Sequence, residues 1–198
     1  MVRLRIVADD FGVSRARTHG IVRAMQSGAV THTSVMANGL YAAEAMELAR
    51  ARGLLDRVGL HLVLSEGRCL APADAVPSLL TQSAPDGTAR DEDARRMLGK
   101  EEFGAACASG AVVPAEAAAE AAAQIRWFEA AAGRAPEWVD GHQHCHVAPT
   151  LCRAFAEVFS NARVRRVRIP YEPLGAGAAP VCATCAAVHA TAAAARAV

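Results

Sequence analysis

The run Asp140-Gly141-His142-Gln143-His144-Cys145-His146 places three imidazoles and a carboxylate within seven residues. Neutral imidazole is the commonest protein ligand for a transition metal. A neighbouring carboxylate can be a further ligand, a base, or the acceptor that fixes a ring. If the run is extended, residues 142, 144 and 146 share one face; if it turns helical after Gly141, His142 and His146 stand one turn apart on one side. Both geometries aim His142 and His146 into the same space, and spacing alone does not choose between them. A second source of donors is Asp9-Asp10. On a regular strand two adjacent acids cannot face one point, but at a strand end one can ligate while the other acts as a base. A metal held by one Asp and two His keeps coordination positions open for water and substrate, a centre suited to hydrolysing an amide or ester.

These residues are useful only if the elements around them converge. Arg3 to Ala8 is an apolar, β-branched run that stops at Asp9-Asp10-Phe11-Gly12, so a buried strand delivers both acids to its C-terminal end. Ser14 caps a helix with Ile21, Val22 and Met25 on its apolar face, closed by Gly28. A strand over 29–37 leads to Asn38-Gly39, a helix over 42–52 ends at Gly53, and a strand over 57–64 carries His61 in an otherwise apolar row. Residues 65–114 lose periodicity around several prolines and glycines and read as a long functional excursion with one or two short helices. The clearest helix covers 116–132. Trp138-Val139 is a short strand leading into the histidine run, Pro149 opens a helix through Phe159, and 164–169 alternates as a strand ending at Pro170. Strands alternating with helices argue for an α/β fold with a parallel sheet, open or barrel-like. A barrel would gather Asp9, Asp10, His61, residues 140–146 and Arg168 at one rim, which turns the lone His61 into a site candidate.

Composition narrows the partners. A chain of 198 residues is enough for one domain, and 53% hydrophobic with 21% charged residues is an ordinary globular balance. A formal charge of +1 with scattered arginines gives no phosphate-tracking groove, so nucleic acid is not expected. Asp9-Asp10 interrupts the place a signal peptide would need for its apolar region, and no stretch spans a bilayer. The reading is cytoplasmic, with no membrane partner. Six cysteines without framework spacing are then expected as thiols, and the single Cys182-x-x-Cys185 pair is read as coincidence.

Five blocks in order, Ile6-Val7-Ala8-Asp9-Asp10-Phe11-Gly12, Thr33 to Gly39, Gly59 to Gly67, Asp140 to Val147, and Arg168-Ile169-Pro170, resemble the YdjC-type carbohydrate deacetylases, including the chitooligosaccharide deacetylases. The stretch from Gly99-Lys100 to Val113 is more similar to the animal members. The resemblance implies a distorted (β/α) barrel and a divalent metal, Mg2+ first and Zn2+ as the alternative. It also implies hydrolytic removal of acetyl groups from N-acetylated amino sugars in oligosaccharides, water on the metal attacking the acetyl carbonyl. Carried over residue by residue, it makes Asp10, His61 and His142 the metal ligands and Asp9 the general base. It leaves His146 lining the pocket, with Glu66 and Arg168 placed to contact sugar hydroxyls or the acetyl oxygen.

One departure bears on domain organisation. Family members are longer, and a later block with a His-Pro-Gly segment supplies the histidine expected to protonate the leaving amine; no such block is present, and His189 does not match it. Residues 1–174 are therefore expected to be the N-terminal part of one barrel domain, and 175–198 an Ala/Gly-rich tail without a family match. Such a chain would have unpaired sheet edges, which invite homo-oligomers. Two competing readings remain. One is a metal-free glycosidase using Asp9 and Asp140 as paired carboxylates, which leaves His61 and His142 idle. The other is a non-catalytic carbohydrate-binding or regulatory remnant that keeps the metal pocket without the acid.

Overall fold

The apolar runs before Asn38, around His61 and before His142 become strands buried on both faces of one parallel sheet, whereas the run expected over residues 3–8 is exposed at Leu4 and Ile6 and its strand begins only at Val7 and takes in both acids. The computed structural model describes residues 4–81 and 95–170. Over these residues the strands are β1 (Val7–Phe11), β2 (His32–Met36), β3 (Val58–Leu62), β4 (Trp138–Gly141) and β5 (Arg166–Val167). The α-helices are α1 (Arg15–Gln26), α2 (Ala42–Ala51), α3 (Lys100–Ser109), α4 (Pro114–Ala132) and α5 (Cys152–Asn161). Every neighbouring pair of strands is parallel.

Strand order in space is chain order, β1-β2-β3-β4-β5. A doubly wound sheet reverses direction at a switch point, whereas steps taken always the same way are the winding of a barrel. The fold is therefore α/β with barrel-type winding. Among the described residues the sheet is open, with β1 and β5 as its edges. It curls enough that Arg168, just beyond β5, reaches Asp9 on β1. Between these strands lies a cavity of about 820 Å³ lined in part by Arg5, His32, Trp138, Asp140 and Arg168. Trp138 lies on this floor, edge-on to His32 at 5.1 Å and under the Arg5 guanidinium at 4.6 Å. Its indole fills the space a side chain on Gly59 would need, since a Cβ there would come within 2.2 Å of the ring.

The helices follow their sequence signals with two shifts. The Ser14 side chain caps α1 by accepting from the Arg17 N–H, and Ile21, Val22 and Met25 are buried beneath it. The helix expected from Glu116 begins at Pro114, since proline suits a first helical turn. Conversely Pro149 does not open α5. It sits in a turn closed by the Leu151 N–H on the Ala148 carbonyl, and the helix begins at Cys152. The last strand is shorter than its alternating sequence suggests, because an edge strand exposed at both residues has little burial to extend it. The four cysteines at 69, 107, 145 and 152 are free thiols. The Cys182/Cys185 pair and the tail lie outside the described residues. Among the described residues no helix is long and apolar enough to cross a membrane.

The excursion after β3 is irregular but tethered. Gln124 on α4 accepts from the Val63 N–H at 3.0 Å and donates to the Val63 carbonyl at 2.6 Å. One turn earlier the buried Glu120 carboxylate takes the N–H groups of Leu70 and Ala71, at 3.0 and 2.8 Å, and the Gln124 amide at 2.8 Å. Together they fix both ends of the segment that carries Glu66. Replacing Gln124 with Leu strands two buried backbone groups, so the expected loss is about 2 to 4 kcal/mol of stability. Urea unfolding should show a lower midpoint at unchanged slope, and an unshifted midpoint would mean that water replaces the amide.

Candidate metal centre

Two adjacent acids reach one site because β1 is not regular where they occur. Ala8 pairs with Thr33 and Phe11 with Val35, so three steps on β1 oppose two on β2. This bulge holds one extra residue, and Asp10 adopts a left-handed φ of 62°. Such a conformation costs a non-glycine residue on the order of 1 kcal/mol or more and is commonest for Asp and Asn among side-chain-bearing residues. Its effect is to bring the Asp10 carboxylate to the C-terminal rim while Asp9 bonds Arg168, the residue after β5.

At that rim three donor atoms form a nearly equilateral triangle. Asp10 Oδ1 lies 3.2 Å from His61 Nε2 and 3.1 Å from His142 Nδ1, and the two ring nitrogens are 3.3 Å apart. Ligands about 2.0 to 2.1 Å from a common ion at tetrahedral or octahedral angles stand roughly 2.9 to 3.4 Å from one another. The triangle therefore fits three sites on one divalent ion. Contacts to both rings, His142 ahead of His61, hold the Asp10 carboxyl far below the ordinary carboxylate range. Arg17, on the first turn of α1, donates to the other Asp10 oxygen at 2.5 Å. Burial depresses His61, but its bonds to Asp10 and Asp140 outweigh that and raise its pKa to about 9. A cation at the triangle would take the place of the proton on His61.

Behind the triangle stands a chain of charges. His61 donates from Nδ1 to the fully buried Asp140 at 2.7 Å, which fixes the tautomer that leaves Nε2 facing Asp10. The other Asp140 oxygen is 3.3 Å from Arg168 Nη1, a charge contact without hydrogen-bond alignment. Arg168 in turn makes a two-pronged pair with Asp9, at 2.8 and 2.7 Å. Asp9, His61 and Asp140 also lie close enough for a second ion-sized cluster. There, however, the carboxylates already hold His61 Nδ1 and the Arg168 fork, so the Asp10 triangle is the better donor set for a cation. Three aspartates face two arginines here, and the proton on His61 balances the third carboxylate, a role that a bound cation would take over.

The histidine run is neither extended nor helical. Gln143 and His144 are both left-handed, with φ of 51° and 59°. Two such residues reverse the chain, so His142 and His146 do not share one space as either regular geometry would require. His142 faces the triangle. His146 is 3% exposed, and its Nε2 donates to the Arg168 backbone carbonyl at 2.7 Å. Burial first of all pushes His146 down to about 4. Glu66, half-exposed at the rim, has Oε2 3.3 Å from His142 Nε2 and accepts from Gln143 at 2.9 Å. The Arg168 guanidinium, expected to reach substrate, is engaged with Asp9 and Asp140. Sequence reasoning passed over Arg17 and Gln143. The only available signal for Arg17 was its place in the first turn of the helix that follows the acids.

A parallel α/β fold of barrel-type winding, with a two-histidine, one-aspartate donor set at the C-terminal rim, defines a class of α/β proteins whose rim residues could hold a metal ion. Within that class, residues 3–197 match the model of the YdjC-like proteins, and the chain belongs to this family. It is 42% identical over 171 residues to the carbohydrate deacetylases of Mus musculus and Homo sapiens, covering 86% of this chain and 51% and 49% of theirs. A chitooligosaccharide deacetylase of Yersinia enterocolitica is 37% identical over 152 residues, 76% of this chain and 53% of that protein. The chain thus spans about half the length of the curated relatives it matches. The crystal structure of an Enterococcus faecalis protein described as a cellobiose-phosphate cleavage protein superposes with a TM-score of 0.70 at 27% identity. It covers 85% of this chain and 59% of that one.

Two outcomes follow from the geometry. Asp140→Asn should weaken divalent-metal binding by about 10 to 100-fold without abolishing it, whereas His61→Ala should remove it. Equal Mn2+ affinity in wild type and His61→Ala would take His61 out of the centre. Because the ion must displace the Nε2 proton of a ring protonated up to about pH 9, binding should release a proton at neutral pH. Apparent Mn2+ affinity should then rise with pH up to about 9 and flatten above it. Calorimetry in two buffers of different ionisation enthalpy would count the proton.

Proposed function

We propose that this chain carries the metal-binding and base-bearing part of a hydrolase that removes acetyl groups from N-acetylated amino sugars in oligosaccharides. The observation that carries this reading is the triangle of Asp10, His61 and His142 donor atoms, 3.1 to 3.3 Å on each side, with Asp140 fixing His61 from behind. Similarity to proteins named carbohydrate deacetylases supplies the substrate class. When bound, a divalent ion would polarise the acetyl carbonyl and make water a stronger nucleophile. Two imidazoles and one carboxylate suit Zn2+ better than Mg2+, which prefers oxygen shells.

The protein's own residues supply the rest. Asp9, beside the centre, takes the proton of the attacking water, and the Arg168 fork keeps its carboxylate from swinging away. Glu66 stands at the open rim, where a carboxylate can accept from sugar hydroxyls, and Gln143 steadies it.

Asp9→Asn is nearly isosteric and leaves the donor triangle untouched. It should keep the metal while acetate release from chitooligosaccharides falls by on the order of 10² to 10⁴. Loss of the metal in Asp9→Asn would exchange the roles of the two acids, and undiminished acetate release would remove Asp9 from the chemistry.

A further inference from the structure

His146 is a buried titratable group that neither the donor triangle nor the base uses. Its Nε2 meets a carbonyl, which only accepts, so that nitrogen carries the proton and donates at 2.7 Å. Its Nδ1 is buried and has no hydrogen-bond partner. The ring lies over Gly141, where a Cβ would come within 2.1 Å of Nδ1. A phenyl ring could occupy the same space without burying a bare acceptor. What imidazole adds is the single N–H.

That N–H falls on a weak point of the fold. β5 is two exposed residues at a sheet edge. Beyond it the Arg168 N–H donates to the Val139 carbonyl at 3.0 Å, and its own carbonyl accepts from His146. The backbone of Arg168 is thus gripped on both sides by β4 and the turn that follows it. From that grip the guanidinium reaches Asp9 and Asp140.

We propose that His146 is a positioning residue, whose hydrogen bond to the Arg168 carbonyl sets the guanidinium that aims Asp9 and steadies Asp140. Neither ring nitrogen is open to ligand: one is spent on the carbonyl and the other lies against Gly141. The inference rests on the reading of Asp9 as the base, and its test separates the two.

His146→Gln keeps an amide donor at similar reach, while His146→Phe fills the space without one. In His146→Phe the Arg168 amide should lose hydrogen-exchange protection while Leu60 on β3 keeps it, and His146→Gln should keep both. Mn2+ should still bind in each variant, because Asp140 keeps its bond from His61, with at most a small loss of affinity in His146→Phe. In acetate release from chitooligosaccharides, His146→Phe should lower kcat by about 10 to 100-fold at unchanged KM, the size of effect expected when a reacting group is misplaced by about an ångström. His146→Gln should restore most of it. Combined with Arg168→Met, His146→Phe should cost nothing further, since a residue acting through Arg168 has nothing left to act on. Full additivity, or a loss confined to KM, would make His146 an independent substrate contact. Undiminished protection of the Arg168 amide in His146→Phe would overturn the proposal whatever the activity. The exchange measurement decides the role of His146 whether or not acetate is released, so failure of the deacetylase reading and failure of this proposal are distinguishable.

Discussion

A carboxylate with no exposed surface is the constraint on which this site depends. Asp140 is fully buried, and an unpaired charge in that position costs several kcal/mol. It is held by His61 on one oxygen and faced by Arg168 on the other. Each partner then has only one free direction, His61 toward the donor triangle and Arg168 toward Asp9. Ligand and base are therefore oriented by the same buried charge. A change at Asp140 would disturb both halves of the chemistry, although Asp140 touches neither ion nor substrate.

The sheet makes that arrangement possible by its order. Asp10, His61 and His142 come from the ends of β1, β3 and β4, and parallel pairing puts all three ends at one rim. Curvature does the rest, since Arg168 could not reach Asp9 across a flat sheet of five strands. The bulge at Asp9-Asp10 is a local departure with a global purpose: it lets one strand end serve the triangle and the Arg168 fork together.

Much of this was legible from residue types. Apolar runs ended by acids or histidines marked the strands and the rim, and Ser14, Gly28 and Gly133 punctuated the helices as their chemistry requires. The roles of Asp140 and His146 were not legible. Asp140 had three chemically reasonable roles, and only the burial set by strands on either side selects among them. His146 lay one helical turn from His142 on paper, yet two left-handed residues, Gln143 and His144, turn it into the wall. No propensity rule anticipates consecutive left-handed positions without glycine. The fixed excursion after β3 was equally hidden, because Gln124 and Glu120 act on backbone more than fifty positions away or nearly so.

The chain-ordered sheet also has a meaning in time. A polypeptide leaves the ribosome from its N-terminus, and here each new strand finds its neighbour already made, so no strand must wait for a later one to fill a gap beside it. The three donor groups are complete once residue 142 has emerged, while the Arg168 clamp arrives some twenty-six residues later. In this protein the order of strands in space repeats their order of synthesis, and the donors of the centre precede in the chain the group that tunes it.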